Sequence, residues 1–417
     1  MQVFKFGGAS VKNAEAVRNL ESILRTSGKT NMVIVISAMA KTTNSLEQLA
    51  KDYFDGNDWR VPFARVKEFH LDVVNELFSN QEKNVYEFII DQLDALEAKL
   101  NTDSSLNFNF EYDQIVSFGE IFSTSIVSHY LNFTGISNQW LDARKLLRTN
   151  SNFREASIDW NLSAKLFQKS VDFAQKQIFI TQGFIASDKN NATTTLGREG
   201  SDFTAAAIAY MLDAESVTVW KDVPGVLNAD PKYFNDTIKL DRISYLDAIE
   251  LAYYGTSVIH PKTIQPLQQK KIQLFVKSFL EPSLPGTVIS NEKTGEKIPC
   301  FIVKKDQTFL HISTRDFSFI VESHLREIFR VFAKHGLHIN IMQNSAISFD
   351  VCVNNDETRI PGVTSDLQEN FVVADERGVE LITIRHYNEN IVKKMLVGKK
   401  LVLEQKLKEN IQLVIKQ

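Results

Sequence analysis

Short apolar runs alternate with helical patterns along the chain as far as residue 280. Five runs rich in Val, Ile and Phe predict strands, and several of them are apolar on both faces. Such strands belong to a parallel or mixed sheet that helices cover on both sides, so we expect an α/β fold. The runs are 2–6, 32–38, 177–186, 216–223 and 272–279.

Helical spacing follows the first predicted strand. Apolar residues form one stripe there, made of Val11, Ala14, Val17, Leu20 and Leu24. Residues 60–100 carry a long helical periodicity with many charged positions. We interpret them as part of a helical insertion over about 45–112, outside the sheet.

A domain boundary is predicted between Glu281 and Pro299, where Pro, Gly, Ser and Lys collect. Beyond it the pattern changes to α+β. A strand, a helix and two strands give the start of a βαββ unit, over 308–314, 323–336, 338–343 and 346–353. A second such series is shorter, over 379–386, 389–398, 400–405 and 411–416.

Length and composition indicate a globular protein. The 417 residues are too many for one ordinary core and suggest about two domains. With 43% hydrophobic and 24% charged residues, the chain is not of the disordered class. A formal net charge of −4 without a basic run argues against a nucleic-acid partner.

The sequence also predicts where the protein resides. Cys300 and Cys352 have no metal-ligand spacing, and two reduced thiols are the favoured interpretation. Residues 1–10 lack the order of a signal peptide, and no apolar run approaches the roughly 20 residues that cross a bilayer. We therefore expect a cytoplasmic protein without a membrane partner.

The stretch 5-KFGGAS-10 is the first candidate for chemistry. A strand leads into Gly7 and Gly8 and then into a helical pattern, which is the form of a phosphate-binding loop. Lys5 would neutralise phosphate charge. A plain strand-to-helix turn with a surface lysine explains the same residues, and the spacing of a Walker A loop is absent.

Two later stretches strengthen the first. In 193-TTTLGREGSD-202, hydroxyl groups lead into two glycines, and Ser201 and Asp202 stand at a helix start, where either is a suitable N-cap. Arg198 is a natural bidentate partner for a carboxylate or a phosphate. In 219-VWKDVPGVLNADPK-232, a strand runs into Pro and Gly residues that a pair of β-turns would also explain.

Taken together, these motifs resemble those of the aspartate kinases. KFGGAS is similar to that family's KFGGTS signature. Further matching stretches follow in the family's order, and they cover the predicted α/β region from end to end. These are 116-VSFGE-120, 140-WLDARKLLRTN-150, 181-TQGFIA-186, 193-TTTLGREGSD-202, 220-WKDVPGVLNADP-231 and 255-GTSVIHP-261. The C-terminal region resembles the family's ACT-type regulatory region.

The resemblance implies an amino-acid-kinase fold over 1–295 and an ACT-like regulatory region over 298–417 with a truncated second unit. It implies transfer of the γ-phosphoryl group of MgATP to the β-carboxylate of L-aspartate. The product, 4-phospho-L-aspartate, opens lysine, threonine and methionine biosynthesis, and feedback regulation is expected. No general base is needed, because a carboxylate is already a nucleophile at neutral pH and alignment and charge stabilisation suffice.

The resemblance also implies roles for individual residues. Lys5 would stabilise charge on the transferred phosphoryl group, and Asp202 would orient the lysine. The nucleotide would be held by Gly7, Gly8, Ser10, Lys221, Asp222, Lys232 and Ser257. Aspartate would be held by Thr43, Glu120, Arg198 and Ser201, with Glu120 on its ammonium and Arg198 on a carboxylate.

Structural roles compete with some of these assignments. Glu120 would equally serve as a helix cap or an ion-pair partner. Thr43 would serve as the N-cap of a helix that begins near Asn44. His260, which precedes Pro261, is expected to be structural and not a ligand.

The chain departs from the family pattern at several positions. Ala9 replaces a threonine, which removes one hydroxyl. Glu199 replaces a glycine beside Arg198; pointing inward it would weaken anionic substrates, and we expect it to point outward. Ser257 stands where the family often has lysine, at the nucleotide end. We hypothesise that Lys221 supplies the missing charge.

The C-terminal region is expected to bind an effector, lysine or threonine, through 338-HINIMQNSAIS-348. The candidate contacts are Asn340, Met342, Gln343 and Asn344. We also expect this region to join chains into a homodimer or a higher homo-oligomer, and dimerisation alone is the competing interpretation.

Two other functions remain open from sequence. Other amino-acid kinases that phosphorylate a carboxylate, such as acetylglutamate and glutamate kinases, share the chemistry, but the helical insertion and the ACT-like tail count against them. A catalytically weak amino-acid-sensing subunit would explain Ala9, Glu199 and Ser257. The intact Lys5, Arg198 and Asp202 count against that reading.

Overall fold

The computed structural model describes residues 1–28, 30–79, 81–255, 259–292 and 297–416. These residues divide into two compact units. The first consists of the described residues of Met1–Val226, Lys239–Ile249 and Val258–Thr294, and the second of those of Leu227–Ile238, Glu250–Ser257 and Gly295–Gln417. The second unit therefore takes in two short segments that precede residue 295.

The first unit is built on a large sheet and a small strand pair. Its described strands are β1 (Gln2–Phe6), β2 (Met32–Ile36), β3 (Gln139–Leu141), β4 (Ile178–Gln182), β5 (Ile185–Ser187), β6 (Thr193–Thr195), β7 (Ser216–Lys221), β8 (Arg242–Ser244), β9 (Gln273–Ser278) and β10 (Thr287–Ser290). In the described chain, eight of them form one sheet in the order β3-β4-β2-β1-β7-β9-β10-β8, while β5 and β6 pair separately. Neighbours in the large sheet are parallel except β9 and β10.

Helices connect and cover these strands. Those before residue 292 are α1 (Ala14–Ser27), α2 (Thr42–Phe54), α3 (Arg60–Phe78), α4 (Lys83–Leu100), α5 (Phe108–Val116), α6 (Phe118–Phe133), α7 (Ala143–Leu146), α8 (Trp160–Ser170), α9 (Gly200–Met211), α10 (Tyr245–Tyr254) and α11 (Pro261–Lys270). A 3₁₀ turn at Gly8–Val11 precedes α1. Residues 60–100, predicted to be helical, form α3 and α4.

The predicted apolar stripe of the first helix is confirmed. Its five members are all buried, from Val11 to Leu24. The side chain of Asn13 caps α1 by accepting the Ala16 N–H, and Gly28 ends the helix with a left-handed φ of 59°. The true α-helix starts at Ala14, three residues after the predicted start.

The predicted strand 177–186 is wrong in one respect, because the structure breaks it into β4 and β5. Phe184 adopts a left-handed φ of 69°, and the Gly183 N–H donates to the Ile36 carbonyl at 3.0 Å. The apolar run continues through this bend, so hydrophobicity alone does not reveal it. After the bend, β5 leaves the large sheet and pairs with β6, Thr193–Thr195.

The second unit contains an antiparallel sheet. Its described elements from residue 300 onward are β11 (Cys300–Thr314), α12 (Glu322–His335), β12 (Ile339–Asn344), β13 (Ser348–Asn354), α13 (Ile360–Leu367), β14 (Phe371–Arg385), α14 (Glu389–Leu396), β15 (Lys400–Lys406) and β16 (Asn410–Lys416). The strand order among these residues is β12-β13-β11-β14-β16-β15. The series β11-α12-β12-β13 confirms the predicted βαββ order.

Two strands of this unit are longer than predicted. β11 begins at Cys300, eight residues before the predicted strand, because the polar run 304-KKDQ-307 interrupts the apolar pattern. A bulge between Lys304 and Thr308 absorbs that run. β14 likewise begins at Phe371, ahead of the predicted 379. No element was predicted over 355–370, where the structure has α13.

Two further expectations can be compared with the fold. Cys300 and Cys352 are both buried, and the reduced state of the two thiols stays a prediction. Among the residues that the structure describes, no helix combines the length and the hydrophobicity that crossing a bilayer requires.

Candidate active site

The two faces of β1 have different tasks. Phe4 and Phe6 point to one face, where both rings pack against Trp220 at centroid distances of 5.8 and 5.9 Å. Alternate residues of a strand point to opposite faces, so Lys5 points the other way. Its side chain is 9% exposed. Packing on the apolar face holds β1 in position, and the opposite face directs Lys5 toward the cavity described below.

Lys5 belongs to a buried charge cluster with Asp202 and Lys221. Its Nζ lies 2.7 Å from Oδ1 of Asp202, and Nζ of Lys221 lies 3.3 Å from Oδ2 of the same carboxylate. Because β1 and β7 are parallel and Lys5 pairs with Val219, Lys221 lies two residues along on the same face. Burial alone would raise the pKa of Asp202, but the two lysines outweigh it and hold the pKa below its ordinary value.

The glycine loop follows Lys5 directly. A Cβ on Gly8 would lie 2.8 Å from the Ala38 carbonyl oxygen and 2.9 Å from that of Ala40, so only glycine fits against the backbone of residues 38–40. Gly7 is extended, and its carbonyl accepts the Ser10 N–H at 2.9 Å. The Ser10 hydroxyl donates to the Trp220 carbonyl at 3.3 Å. Packing therefore already accounts for glycine at position 8 and serine at position 10, whatever the loop binds.

A cavity of about 890 Å³ opens beside Lys5 and Asp202 in the first unit. Six predicted site residues line it: Lys5, Thr43, Glu120, Arg198, Ser201 and Asp202. They comprise both predicted catalytic residues and all four predicted aspartate contacts. Side chains from four separate stretches of the sequence therefore meet at one cavity.

The predicted nucleotide residues lie outside the wall of this cavity. Asp222 is exposed after β7, and Lys232 is an exposed residue of the second unit. Ser257 lies outside the described residues. Among the members of this set that the structure describes, Lys221 forms an ion pair with Asp202.

Glu120 is a buried acid with an unused oxygen. It lies in the first turn of α6 and is 2% exposed. One oxygen accepts the Ala38 N–H at 3.3 Å, and Oε2 has no hydrogen-bond partner among the described residues. Burial raises the pKa of Glu120 to about 8, against the smaller opposing effects of the Ala38 N–H and the Lys5 charge. A buried carboxyl oxygen without a partner needs an explanation, and a ligand in the adjoining cavity would supply one.

The VSFGE motif explains how Glu120 reaches this place. A Cβ on Gly119 would lie 3.0 Å from the Ala38 Cβ and 3.2 Å from Leu46 Cδ1. Glycine at this position lets α6 approach residues 38–46 closely, so the next residue is held against the cavity.

Two of the competing structural roles can be judged. The alternative role of Thr43 as an N-cap is wrong, because α2 begins at Thr42 and Lys41 occupies the cap. The structural role of His260 is confirmed, since its Nδ1 accepts the Lys262 N–H at 3.2 Å and caps α11.

Glu199 faces the cavity, so the expected outward orientation is wrong. The residue has a left-handed φ of 53° immediately before α9, and its Oε2 is shielded from solvent without a hydrogen-bond partner in the described chain. The conformation of the preceding turn decides the direction of this side chain, and the sequence does not encode it in any simple pattern.

Sequence reasoning missed one wall of the cavity. Arg154, Tyr112 and Glu47 line it, and the buried Asp113 lies behind them. Tyr112 stands at the very end of the predicted insertion, and Arg154 lies in a turn between two matched motifs. The available sequence signal was the position of Asp113, an acid three residues before the 116-VSFGE-120 motif.

Comparisons with known proteins agree with this geometry. The sequence profile described as the amino acid kinase family matches residues 1–278. The chain is 32% identical over 353 residues to lysine-sensitive aspartokinase 3 of Escherichia coli, covering 83% of this chain and 76% of that protein.

Solved structures show the same likeness over the full chain. E. coli aspartokinase III in complex with lysine and aspartate (T-state) superimposes with a TM-score of 0.85 at 26% identity, covering 99% of this chain and 95% of the other. The same enzyme in complex with aspartate and ADP (R-state) gives 0.83 at 26% identity, covering 100% and 96%. The predicted fold class is thereby confirmed, and the chain belongs to the amino acid kinase family and, within it, to the aspartokinases.

Proposed function

We propose that this aspartokinase transfers the γ-phosphoryl group of MgATP to the β-carboxylate of L-aspartate in the cavity beside Lys5. The product is 4-phospho-L-aspartate, which opens lysine, threonine and methionine biosynthesis. The observation that carries the proposal is the position of the Lys5–Asp202–Lys221 cluster at a cavity that also contains Glu120 and Arg198. An amino-acid acceptor requires an acid for its ammonium, a cation for its carboxylate and a lysine at the transferred phosphoryl group. Glu120, Arg198 and Lys5 would fill these roles.

The acceptor end of the cavity suits aspartate. Glu120 Oε2 accepts the substrate ammonium, since it is buried and has no partner of its own among the described residues. Arg198 binds a carboxylate in a bidentate manner. Thr43 and Ser201, which line the same wall, add hydroxyl hydrogen bonds.

The transfer end relies on charge. Lys5 donates to the phosphoryl oxygens, whose negative charge develops in the transition state, and this kind of stabilisation is usually the largest catalytic contribution. Asp202 holds the lysine ammonium in place through the 2.7 Å contact. The substrate carboxylate attacks without deprotonation, so the site needs no general base.

The nucleotide end combines the remaining assignments. Gly7, Gly8 and Ser10 hold phosphate through the loop after β1, and Asp222 follows β7 in the same unit. Lys232 and Ser257 stay nucleotide contacts that only the family resemblance implies. Magnesium usually binds one or two carboxylates together with substrate phosphates. Both oxygens of Asp202 face lysine ammonium groups, so the phosphates of ATP would supply most of the Mg²⁺ ligands here. When bound, Mg²⁺ neutralises phosphate charge.

Lys221→Ala tests whether this lysine serves the nucleotide. We expect the KM for ATP to rise about 10- to 100-fold, the cost of one charge-assisted hydrogen bond, while the KM for aspartate changes little. Steady-state kinetics with each substrate varied in turn measures both values. Lys221→Arg keeps the charge and should retain most of the affinity. Unaltered ATP affinity and rate in Lys221→Ala would remove Lys221 from the nucleotide site.

Aspartate binding should release a proton near neutral pH. The raised pKa of Glu120, about 8, keeps the free carboxyl mostly protonated at pH 7, and an ammonium partner requires the carboxylate. The release should approach one proton per aspartate at pH 7 and vanish near pH 9. Calorimetric titration in buffers of different ionisation enthalpy measures it. Release that persists in Glu120→Gln would assign the proton to another group.

The C-terminal region is proposed to regulate the kinase. We assign 1–295 to the catalytic domain and 298–417 to an ACT-like region with a truncated second unit. Lysine is the favoured effector over threonine, because the E. coli relative is lysine-sensitive and was solved with lysine. The proposed contact segment is β12, where Met342, Gln343 and Asn344 are exposed at a sheet edge and Asn340 is bonded to Lys304. The same region is proposed to join chains into a homodimer or a higher homo-oligomer.

Acceptor selection tests the proposed function. ADP release from MgATP is followed with aspartate, glutamate and acetylglutamate, each with and without lysine and threonine. We expect turnover with aspartate alone and inhibition by lysine. Turnover with acetylglutamate or glutamate would transfer the chain to another carboxylate kinase, and lysine binding without any turnover would support the sensing subunit.

A further inference from the structure

Several residues that line the substrate cavity have strained backbone conformations, and Arg154 is the clearest case. Three cavity-lining residues other than glycine, Arg154, Phe184 and Glu199, have left-handed φ angles of 70°, 69° and 53°. Such conformations are uncommon for side chains larger than hydrogen and persist only where the surrounding structure holds them. Glycine would fit the turn at Arg154 with less strain, so the arginine side chain itself needs an explanation.

The strained turn is held by Asp113. This carboxylate is fully buried, and its Oδ2 accepts the Arg154 N–H at 3.0 Å and the Thr195 N–H at 2.9 Å. Its Oδ1 accepts the Thr195 hydroxyl at 2.8 Å. Thr195 lies three residues before Arg198, so one buried acid ties the Arg154 turn to the segment that carries the predicted carboxylate-binding arginine.

The guanidinium of Arg154 is positioned and yet available. It lies over the Tyr112 ring at 4.3 Å and the Phe108 ring at 5.8 Å, which orients its plane. Within the described residues its nitrogens make no hydrogen bond, and the nearest acid is Glu47 at 3.9 Å. The side chain is 39% exposed. An oriented cation in a cavity wall with its donors unused is suited to an anionic ligand.

Arg154 and Glu120 line the same cavity. The charges of both act on Tyr112, whose pKa is raised to about 12 by burial first and by the charge of Glu47 next. In an amino acid, the ammonium and the α-carboxylate share one carbon atom. A cation in the cavity that also contains the ammonium-binding acid is therefore suited to the α-carboxylate.

We propose that Arg154 is a second binding residue for the α-carboxylate of the acceptor amino acid, acting together with Arg198. This inference rests on the proposed function and deepens it, because it makes the free α-carboxylate a criterion of selection. Tyr112 and Phe108 hold the guanidinium plane, and Asp113 holds the turn. Substrates without that negative charge gain nothing from Arg154.

The test compares aspartate with its α-amide in wild type and Arg154→Gly. Glycine relieves the left-handed turn, so the variant should fold with an unchanged or higher Tm. We expect kcat/KM for aspartate to fall about 10- to 100-fold, as for the loss of a hydrogen bond to a charged group, and kcat/KM for the α-amide to stay near its wild-type value. Arg154→Lys should give an intermediate loss with aspartate.

The control is Arg60→Ala, which removes an exposed arginine stacked on Trp59 at 5.2 Å outside the cavity wall. It should leave both substrates unaffected. An equal loss with aspartate and its α-amide in Arg154→Gly would mean that the arginine only supports the turn, and no loss with either would remove it from the site. A wild type that does not phosphorylate aspartate contradicts the proposed function instead.

Discussion

Replacing Lys5 with alanine should lower kcat for aspartate phosphorylation by roughly 10²–10³-fold or more, by analogy with the loss of one preorganised transition-state donor. Lys5 Nζ is held 2.7 Å from Asp202 at the edge of the cavity, on the face of β1 opposite its apolar packing. Its charge is available where phosphoryl oxygens become more negative. The KM for aspartate should change less than kcat, because the contribution belongs to the transition state.

The variant must be shown to fold, since Asp202 would keep only Lys221 at 3.3 Å as a partner. Lys5→Met combined with Asp202→Asn removes the charges of both partners while keeping their volume, and should be stable but inactive. The matched control is Lys12→Ala, an exposed lysine just after the glycine loop, which should retain full turnover. Turnover near the wild-type value in folded Lys5→Ala would remove Lys5 from the chemistry.

Replacing Glu120 with glutamine should lower kcat/KM for aspartate roughly 10²-fold. This corresponds to a loss of about 3 kcal/mol of binding free energy, as for truncating one partner of a buried charge pair. The loss should appear mainly in KM, since the ammonium is bound equally in the ground state and the transition state. The KM for ATP should be unaffected. Initial rates over a range of aspartate concentrations measure the effect.

The same substitution has an opposite effect on stability at high pH. The folded pKa of Glu120, about 8, is above its ordinary value of 4.5, so the wild type loses stability as pH rises between those values. Glutamine cannot ionise, and Glu120→Gln should therefore gain in Tm relative to wild type as pH rises from 5 to 8.5. A difference in Tm that does not depend on pH would contradict a buried Glu120 carboxyl with a raised pKa.

Glu111→Gln provides the contrast. Glu111 is equally buried, but its carboxylate lies 2.8 Å from Lys99 Nζ and outside the cavity wall. Its loss should lower Tm without changing the KM for aspartate. The two variants therefore distinguish a buried acid that binds the substrate, Glu120, from one that stabilises the fold, Glu111.

Most elements of the first unit could be predicted from the sequence, because the patterns that indicate them are local. A strand apolar on both faces, the stripe of α1 and the glycine loop each depend on neighbours within a few residues. The long motifs added the residues of the cavity, since Lys5, Glu120 and Arg198 each lie in a stretch that the family resemblance covers. Their meeting in one wall could be predicted only through that resemblance.

The remainder depended on tertiary context. The bend at Phe184 is invisible in an unbroken apolar run, and the long strand β11 is hidden by 304-KKDQ-307, which a bulge accommodates. Arg154 escaped notice because its importance comes from a strained turn and from Asp113, 41 residues away along the chain. The direction of Glu199 follows from one left-handed residue, and sequence patterns do not report such angles.

The most direct test of the central claim is to identify the product of MgATP and aspartate. The reaction is run with hydroxylamine, which converts an acyl phosphate to a hydroxamate, and the position of the hydroxamate is read by mass spectrometry. The account predicts aspartate β-hydroxamate in one-to-one ratio with ADP, and none from Lys5→Ala beyond the residual rate. An α-hydroxamate, or ADP release without any hydroxamate, would contradict transfer to the side-chain carboxylate in this cavity.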